Sequence, residues 1–234
     1  MPTDGKSSDK AWYYKNLAQR IFTSLLGIAA VFILAGRINY WQGWVFGGIF
    51  AIGFSIVAAM YADKIGLARE RIKPGPGTKW WDKVFYAFYI PLHLAVVIVA
   101  SLDAGRFLWT ARLPAPVYIA GYIAHIFSYF IALWAMGTNR FFSSVVRIQE
   151  DRGHEVIQEG PYRFIRHPGY VSGILAGVST SLVLGSLWAL IPGAILIPLF
   201  IIRAYLEDNT LKKELSGYAE YTKKVKYRLV PGVW

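Results

Sequence analysis

The chain has 234 residues, 55% of them hydrophobic and 16% aromatic, with a formal net charge of +11. Its long uncharged runs exclude a soluble globular domain and point to an integral membrane protein, in which the positive charge belongs to flanks facing anionic lipid rather than to a nucleic-acid interface. With no cysteine, disulfides, thiolate metal sites and a cysteine nucleophile are excluded.

Residues 1–20 read as a polar arm whose Trp12, Tyr13 and Tyr14 suit a membrane interface. The charges spread through it argue against a cleavable signal peptide, so the first span itself is expected to direct insertion. That span runs from Ile21 to Gly36 between two arginines. The turn Ile38-Asn39-Tyr40 leads to a second span from Trp41 to about Ala62. A basic loop over 63–83 contains Pro74-Gly75-Pro76-Gly77, which cannot continue a helix. Trp80 and Trp81 mark the next interface, and a third span, holding Pro91 and His93, reaches about Leu102. A fourth follows Pro114 and Pro116 and ends near Gly137.

Gly169 to Ile202 has no charged residue over 34 positions. That is too long for one span of about 20 residues and short for two, so a tight helical hairpin breaking at Gly185-Ser186 is expected, with Pro192 and Pro198 bending its return arm. Gly173, Gly177, Ser181 and Gly185 recur every fourth residue and make a seam where backbones can approach closely. From Arg203 the chain turns polar and basic. Leu211, Leu215, Tyr218, Thr222 and Val225 follow a helical stripe that can lie on the membrane surface or cap a pocket, with Gly217 as its weak point.

The expected fold is therefore an all-α integral membrane protein. It has about six hydrophobic helices, including a C-terminal hairpin, together with a cytoplasmic loop and a C-terminal helix. Lysine and arginine are dense in the N-terminal arm, in 63–83, in 138–168 and after Arg203, and sparse in the loops between. Both termini and the two long loops are thus expected on the cytoplasmic side. Two regions are expected: N-terminal transmembrane helices over 1–134 and a loop, hairpin and C-terminal helix over 135–234.

Chemistry concentrates in the loop from Arg147 to Tyr170. Its 24 positions hold two His, four Arg, four acidic residues, three Gly and two Pro. A hairpin returns its two ends to one side of the membrane, which brings Arg166 and His167 near Arg203, Glu207 and Asp208. Arg203 and Glu207 are four apart and share a helix face. Opposite charges, a histidine and several tyrosines at one hairpin mouth suit a polar, zwitterionic cofactor beside a lipid-accessible cleft. His167 has no neighbour at ligand spacing, so no metal is expected. No Gly-x-Gly-x-x-Gly joins a strand to a helix, which removes a Rossmann site. His93 and His125 fall within spans and are left out of the site.

One ordered set of motifs is specific. Gly160-Pro161-Tyr162-Arg163-Phe164-Ile165-Arg166-His167-Pro168-Gly169-Tyr170 precedes an apolar hairpin. Arg203-Ala204-Tyr205-Leu206-Glu207-Asp208-Asn209-Thr210-Leu211, Tyr218-Ala219-Glu220-Tyr221 and Arg228-Leu229-Val230-Pro231 follow it. Over roughly 135–234 the sequence resembles the isoprenylcysteine carboxyl methyltransferases and the related phospholipid methyltransferases. The resemblance implies a methyltransferase embedded in the membrane, with S-adenosyl-L-methionine as donor in a cytoplasm-facing pocket. The implied acceptor is a lipophilic small molecule or a lipidated group entering from membrane lipid, with a carboxylate among the acceptor groups the resemblance allows; nucleic acid is not implied.

Residue by residue, the resemblance places the donor on His154, Glu155, Val156, Ile157, Tyr162, His167, Pro168, Gly169, Tyr170 and Glu207. Arg166 and Arg203 fall on catalytic, acceptor-side positions. A further polar donor contact falls on Arg147, with Gln149 nearby, and the family's paired glutamates stand here as Glu207-Asp208. Glu207 can offset a sulfonium or ammonium charge. Tyr162 and Tyr170 can stack on adenine or face the sulfonium, and an arginine fork can orient a carboxylate. Two other readings stay open: an NADPH-dependent membrane reductase of the sterol-reductase kind, with Lys223, Lys224 and Lys226 as its phosphate cluster, and a non-enzymatic membrane protein such as a transporter.

Overall fold

A computed structural model describes residues 4–62, 64–72 and 76–234. Among these the chain is helical and has no strand. The α-helices are α1 (Asp4–Ala35), α2 (Trp41–Tyr61), α3 (Ile65–Ile72), α4 (Trp80–Ala100), α5 (Ala115–Thr138), α6 (Pro168–Val183), α7 (Leu190–Glu214) and α8 (Tyr218–Lys224). Five of the helical stretches are long and apolar enough to cross a membrane: Lys10–Ala35, Trp41–Tyr61, Trp80–Phe107, Ala115–Thr138 and Leu190–Glu214. Their outer faces expose Leu25, Ile52, Phe88, Ile123, Phe127 and Ile202, an apolar girdle that only lipid can cover at this density. The molecule is an all-α integral membrane protein.

The sixth hydrophobic segment, α6, has 16 residues, about 24 Å of helix, short of the ~30 Å hydrocarbon core. It sits between α5 and α7, with Ser172, Gly177, Ser179, Thr180 and Ser181 buried, so it meets protein where a longer helix would meet lipid. The expected small-residue seam is the reason it fits. A Cβ on Gly173 would stand 2.4 Å from the Phe200 ring, and one on Gly177 2.5 Å from Leu196. On the α5 side, a Cβ on Gly121 would stand 2.7 Å from Cβ of Leu182.

The hairpin turns at 184–189, as the break at Gly185-Ser186 implies. Gly185 has φ +81, a left-handed conformation natural to glycine. Asp103, fully buried in a π-helical extension of α4 (Ser101–Phe107), accepts from Ser186 Oγ at 2.5 Å and from Thr110 N and Oγ1 at 2.7 and 2.6 Å. Tyr40 donates to the Leu184 carbonyl. The turn is thus tied to α4 and to the α1–α2 connection at the end of the bundle away from the long loop. Of the two prolines expected to bend the return arm, Pro192 lies in the first turn of α7, where its missing N–H costs nothing. Only Pro198 is interior.

Three local expectations change. The N-terminal arm is not separate from the first span: no proline or glycine interrupts Lys6–Leu26, and α1 continues through it, with Tyr13 buried against Tyr61 and Ala68. The 63–83 loop contains α3, and Pro74 and Gly75 of its breaker lie outside the described residues. The C-terminal stripe is two helices, since the chain breaks at Gly217 (φ +80). Its apolar side nevertheless forms one cluster of Leu211, Leu215, Tyr218, Tyr221 and Val225, packed on Ile148 and Val156 of the loop. The stripe caps the loop rather than lying on lipid.

Candidate active site

The segment joining α5 to α6 is irregular but held at many points. Gln149 Nε2 donates to the Phe141 carbonyl at 2.6 Å, and His154 Nδ1 accepts from the Gln149 amide at 3.3 Å. Gly160, at φ +55, packs so closely that a Cβ would stand 2.5 Å from Thr138 Oγ1. The amides of Arg166 and His167 donate to the carbonyls of Tyr227 and Arg228 at 3.0 and 2.9 Å, which lays the C-terminal tail across the start of the hairpin. Between these anchors, no described residue hydrogen-bonds the main-chain groups of Glu155, Val156 and Ile157. These three residues border a cavity, which leaves their main-chain groups open to water or to a ligand.

Asp208 organises the other wall. Its side chain is 0% exposed, and three cations and a histidine surround it: Arg166 at 2.7 Å, Arg228 at 3.1 Å, Lys212 at 3.2 Å and His167 at 3.5 Å. Tyr218 also donates to it, at 3.0 Å. A carboxylate this buried is tolerable only with such compensation. Arg166 is fully engaged: it makes two hydrogen bonds to Asp208 and one each to the carbonyls of Val225 and Lys226.

The cavity between loop, hairpin and α4 measures about 420 Å³. All twelve residues singled out from the sequence line it: His154, Glu155, Val156, Ile157, Tyr162, Arg166, His167, Pro168, Gly169, Tyr170, Arg203 and Glu207. Glu207 faces it with about a fifth of its side chain exposed, accepts from Tyr170 and lies 3.4 Å from His167 Nδ1. The His167 and Tyr170 rings stack, with centroids 5.4 Å apart. The Glu155 carboxylate is taken by Arg140 at 2.8 Å near the surface.

Arg203 divides this polar end from an aromatic one. Its guanidinium lies 4.2 Å from the Phe85 ring, 5.1 Å from Tyr86 and 5.0 Å from Tyr170. Nη2 donates to the Ser144 carbonyl at 2.8 Å and sits 2.8 Å from Asp82 Oδ1, outside hydrogen-bonding angles. Nε is buried, and no described residue accepts from it. Beyond it, Phe85, Tyr89, Phe200, Gly173 and Ala176 form the apolar part of the cavity.

Sequence reasoning missed what α4 and the start of the loop contribute. Phe85, Tyr86, Tyr89, Asn139, Phe141, Phe142 and Ser144 line the cavity, and Asp82 supports Arg203. Phe85 and Tyr89 are one turn apart, but an aromatic stripe on a membrane helix has no signature that separates a pocket from ordinary packing. Arg147 and Gln149 line the cavity as well, yet Arg147 is already paired with Glu70 at 3.1 Å and Asp151 at 3.0 Å. His125 is a packing residue, 2.9 Å from Ser179 Oγ.

Two histidines titrate in opposite senses. For His167 burial disfavours the charge, but Asp208 and Glu207 outweigh it and raise the pKa above the ordinary histidine value. For His154 burial, reinforced by Arg147 and Arg152, outweighs Glu207 and lowers it. The proton is therefore held more firmly on the wall beside Glu207 than on the wall that carries His154.

Fold and site together define a polytopic helical membrane protein. Its cavity is polar and charged at one end and aromatic at the other, and it sits at the mouth of a helical hairpin. Residues 120–213, from α5 through most of α7, match the sequence model of the isoprenylcysteine carboxyl methyltransferase (ICMT) family, so the resemblance carried by the motifs holds there. Over 88 residues the chain is 28% identical to a "Probable protein-S-isoprenylcysteine O-methyltransferase" of Oryza sativa subsp. indica. The same holds for its counterpart in subsp. japonica. The matched stretch covers 37% of this chain and 46% of each rice protein.

Proposed function

We propose that this protein is a membrane-embedded methyltransferase that uses S-adenosyl-L-methionine and acts on a lipophilic acceptor, with a carboxylate as the acceptor group. The observation that carries this reading is the placement of Glu207 and Arg203 one turn apart on α7. The carboxylate faces the polar end of the cavity and the guanidinium stands at the threshold of the aromatic end.

The residues present fit such a donor. Glu207 supplies a carboxylate for an ammonium or sulfonium, and Tyr170 and Tyr162 supply aromatic faces for a cation or a base. The unpaired main-chain groups of Glu155, Val156 and Ile157 can read the edge of a planar base. A volume of about 420 Å³ suits a ligand of this class. When bound, the donor supplies a methyl group on a sulfonium.

The chain's part is alignment and exclusion of water. Arg203, pre-oriented by Asp82 and the Ser144 carbonyl, holds an acceptor carboxylate; a carboxylate is already ionised at neutral pH and needs no general base. Phe85, Tyr89 and Phe200 shield the reacting end from solvent and accept the apolar part of the acceptor. Arg166, fully engaged with Asp208 and the tail, acts as a positioning residue that keeps Glu207 and His167 in place. In this reading the 135–234 region is the catalytic core, α4 completes its acceptor side, and the cavity faces the cytoplasm, in keeping with the distribution of basic residues.

The reductase reading requires a cation cluster for an extra phosphate, and Lys223, Lys224 and Lys226 do not border the cavity. Thermal unfolding of the purified protein distinguishes the readings. S-adenosylhomocysteine at about a hundred times its Kd is expected to add roughly 2.7 kcal/mol of stability by mass action, and NADPH none. Stabilisation by NADPH alone would overturn the proposal.

A further inference from the structure

A second cavity, of about 380 Å³, lies between α1, α2, α3 and α5. Phe142 and Ser144 border both cavities, so one strand of the loop separates them. The walls of the second are apolar: Leu17, Phe50, Phe54, Val57, Tyr129 and Met136. Two guanidinium groups, Arg20 and Arg71, complete it.

Arg71 is unusual. Nη2 donates to the carbonyls of Met136 and Asn139 at 3.0 and 2.8 Å, while Nε and Nη1 are buried and no described residue accepts from them. The group is sandwiched between Tyr61 and Phe142, with ring centroids at 4.8 and 5.5 Å. Among the described residues no carboxylate pairs with Arg71 or Arg20. Burial pushes Arg71 down to about 10, so the charge persists at neutral pH. A half-buried cation with no carboxylate partner among the described residues gains when an anion meets it. An apolar cleft among membrane helices beside such a cation accommodates an acyl chain.

We propose that this second cavity binds one membrane lipid with an anionic headgroup. Headgroup oxygens meet the Arg71 guanidinium where it borders the cavity, with Arg20 as a second cation, and an acyl chain lies among Phe50, Phe54, Val57 and Tyr129. The site is separate from the first cavity, whose aromatic end and Arg203 lie across the Phe142–Ser144 strand. It can still influence that cavity, because the Ser144 carbonyl that the strand presents is the acceptor for both Arg203 and Tyr86. Nothing in this assignment depends on which reaction the first cavity performs.

Native mass spectrometry of the purified full chain, titrated with phosphatidylglycerol and with phosphatidylcholine of the same acyl chains, tests it. The wild type should retain one phosphatidylglycerol in preference. Arg71→Gln should weaken that retention roughly ten- to a hundredfold, the scale of a lost hydrogen bond to a charged group. Arg71 also holds the end of α5, so two milder variants accompany it. Arg20→Gln removes the other cation, and Ala58→Phe fills the apolar part; both should reduce retention with folding intact. Equal retention of the two lipids by the wild type, or undiminished retention in Arg20→Gln and Ala58→Phe, overturns the proposal. Inorganic phosphate alone should not raise the melting temperature; protection by phosphate equal to that by phosphatidylglycerol would mean a free anion in place of a lipid.

Discussion

Asp82 in the first turn of α4 and Arg203 near the middle of α7 stand 2.8 Å apart, and both side chains are almost fully buried. Asp82 Oδ2 also accepts from the Val146 amide at 2.9 Å, so one carboxylate ties the loop, α4 and the arginine of the cavity together. Removing one partner of such a pair leaves a buried charge uncompensated. Asp82→Asn is expected to cost about 3–5 kcal/mol of stability, read by chemical denaturation. In protein that still folds it should slow methyl transfer while leaving S-adenosylhomocysteine affinity unchanged. Arg203→Lys should separate the two in the same way, because the ammonium keeps the charge and loses the planar fork. Wild-type turnover in Arg203→Lys would remove the acceptor role from this residue.

Glu207→Gln nearly preserves shape while deleting the charge that faces the cavity. Donor affinity should fall by about 1.5–3 kcal/mol, the range for a hydrogen bond to a charged group, which calorimetry with S-adenosylhomocysteine would register as a loss of roughly tenfold or more. Unaltered affinity in a folded variant would remove Glu207 from the donor site.

Asp208 predicts a different phenotype from its neighbour. Asp208→Asn strands Arg166, Arg228 and His167 around a neutral group, so the expected result is loss of stability by several kcal/mol. Release of the tail over 225–234 should show as faster proteolysis there. A fully folded, protease-resistant Asp208→Asn protein with reduced donor affinity alone would instead place Asp208 in direct contact with ligand.

The pH dependence follows from the two histidines. The folded-state pKa of His167 is raised above its unfolded value of about 6.5. Its contribution is therefore complete below about 6.5 and lost as pH rises through the folded value. His154 is lowered, so its contribution is complete above about 6.5 and lost as pH falls through its folded value. Melting temperatures measured across pH should decline on the alkaline side in the wild type, and His167→Gln should flatten that limb only. An alkaline limb unchanged by His167→Gln would refute the assignment.

Gly121 tests the packing of α6. A Cβ there would meet Leu182 Cβ at 2.7 Å, a contact between helix stems that cannot swing aside. Gly121→Ala should destabilise by about 1–3 kcal/mol through overpacking, as measured by thermal unfolding. Gly48→Ala, with nothing within 4 Å, is the control on a neighbouring helix and should hold or raise stability, by up to about 1 kcal/mol.

Much of the cavity is legible in the amino-acid order. Arg203 and Glu207 share a helix face because of the 3.6-residue period. The uncharged run from Gly169 to Ile202 has to turn back, which delivers Arg166 and His167 to them. Those two facts are local or set by length, so the amino-acid order alone decides them, as it decides the membrane class through the long apolar runs and the packing seam through Gly173 and Gly177. Only the tertiary structure decided what surrounds those residues. Asp82, Phe85 and Ser144 meet Arg203 across more than fifty residues of chain, and nothing in α4 distinguishes its inward aromatics from its lipid-facing ones. The roles of Asp208 and Arg166 are likewise matters of three-dimensional compensation: a carboxylate next to Glu207 in sequence is turned about 100° around the helix, onto Arg166, Lys212 and Arg228 and the far side of the His167 ring. Hydrophobic pattern and spacing are carried by neighbours along the chain, whereas electrostatic pairing in a buried site depends on which distant segments the fold brings within 4 Å.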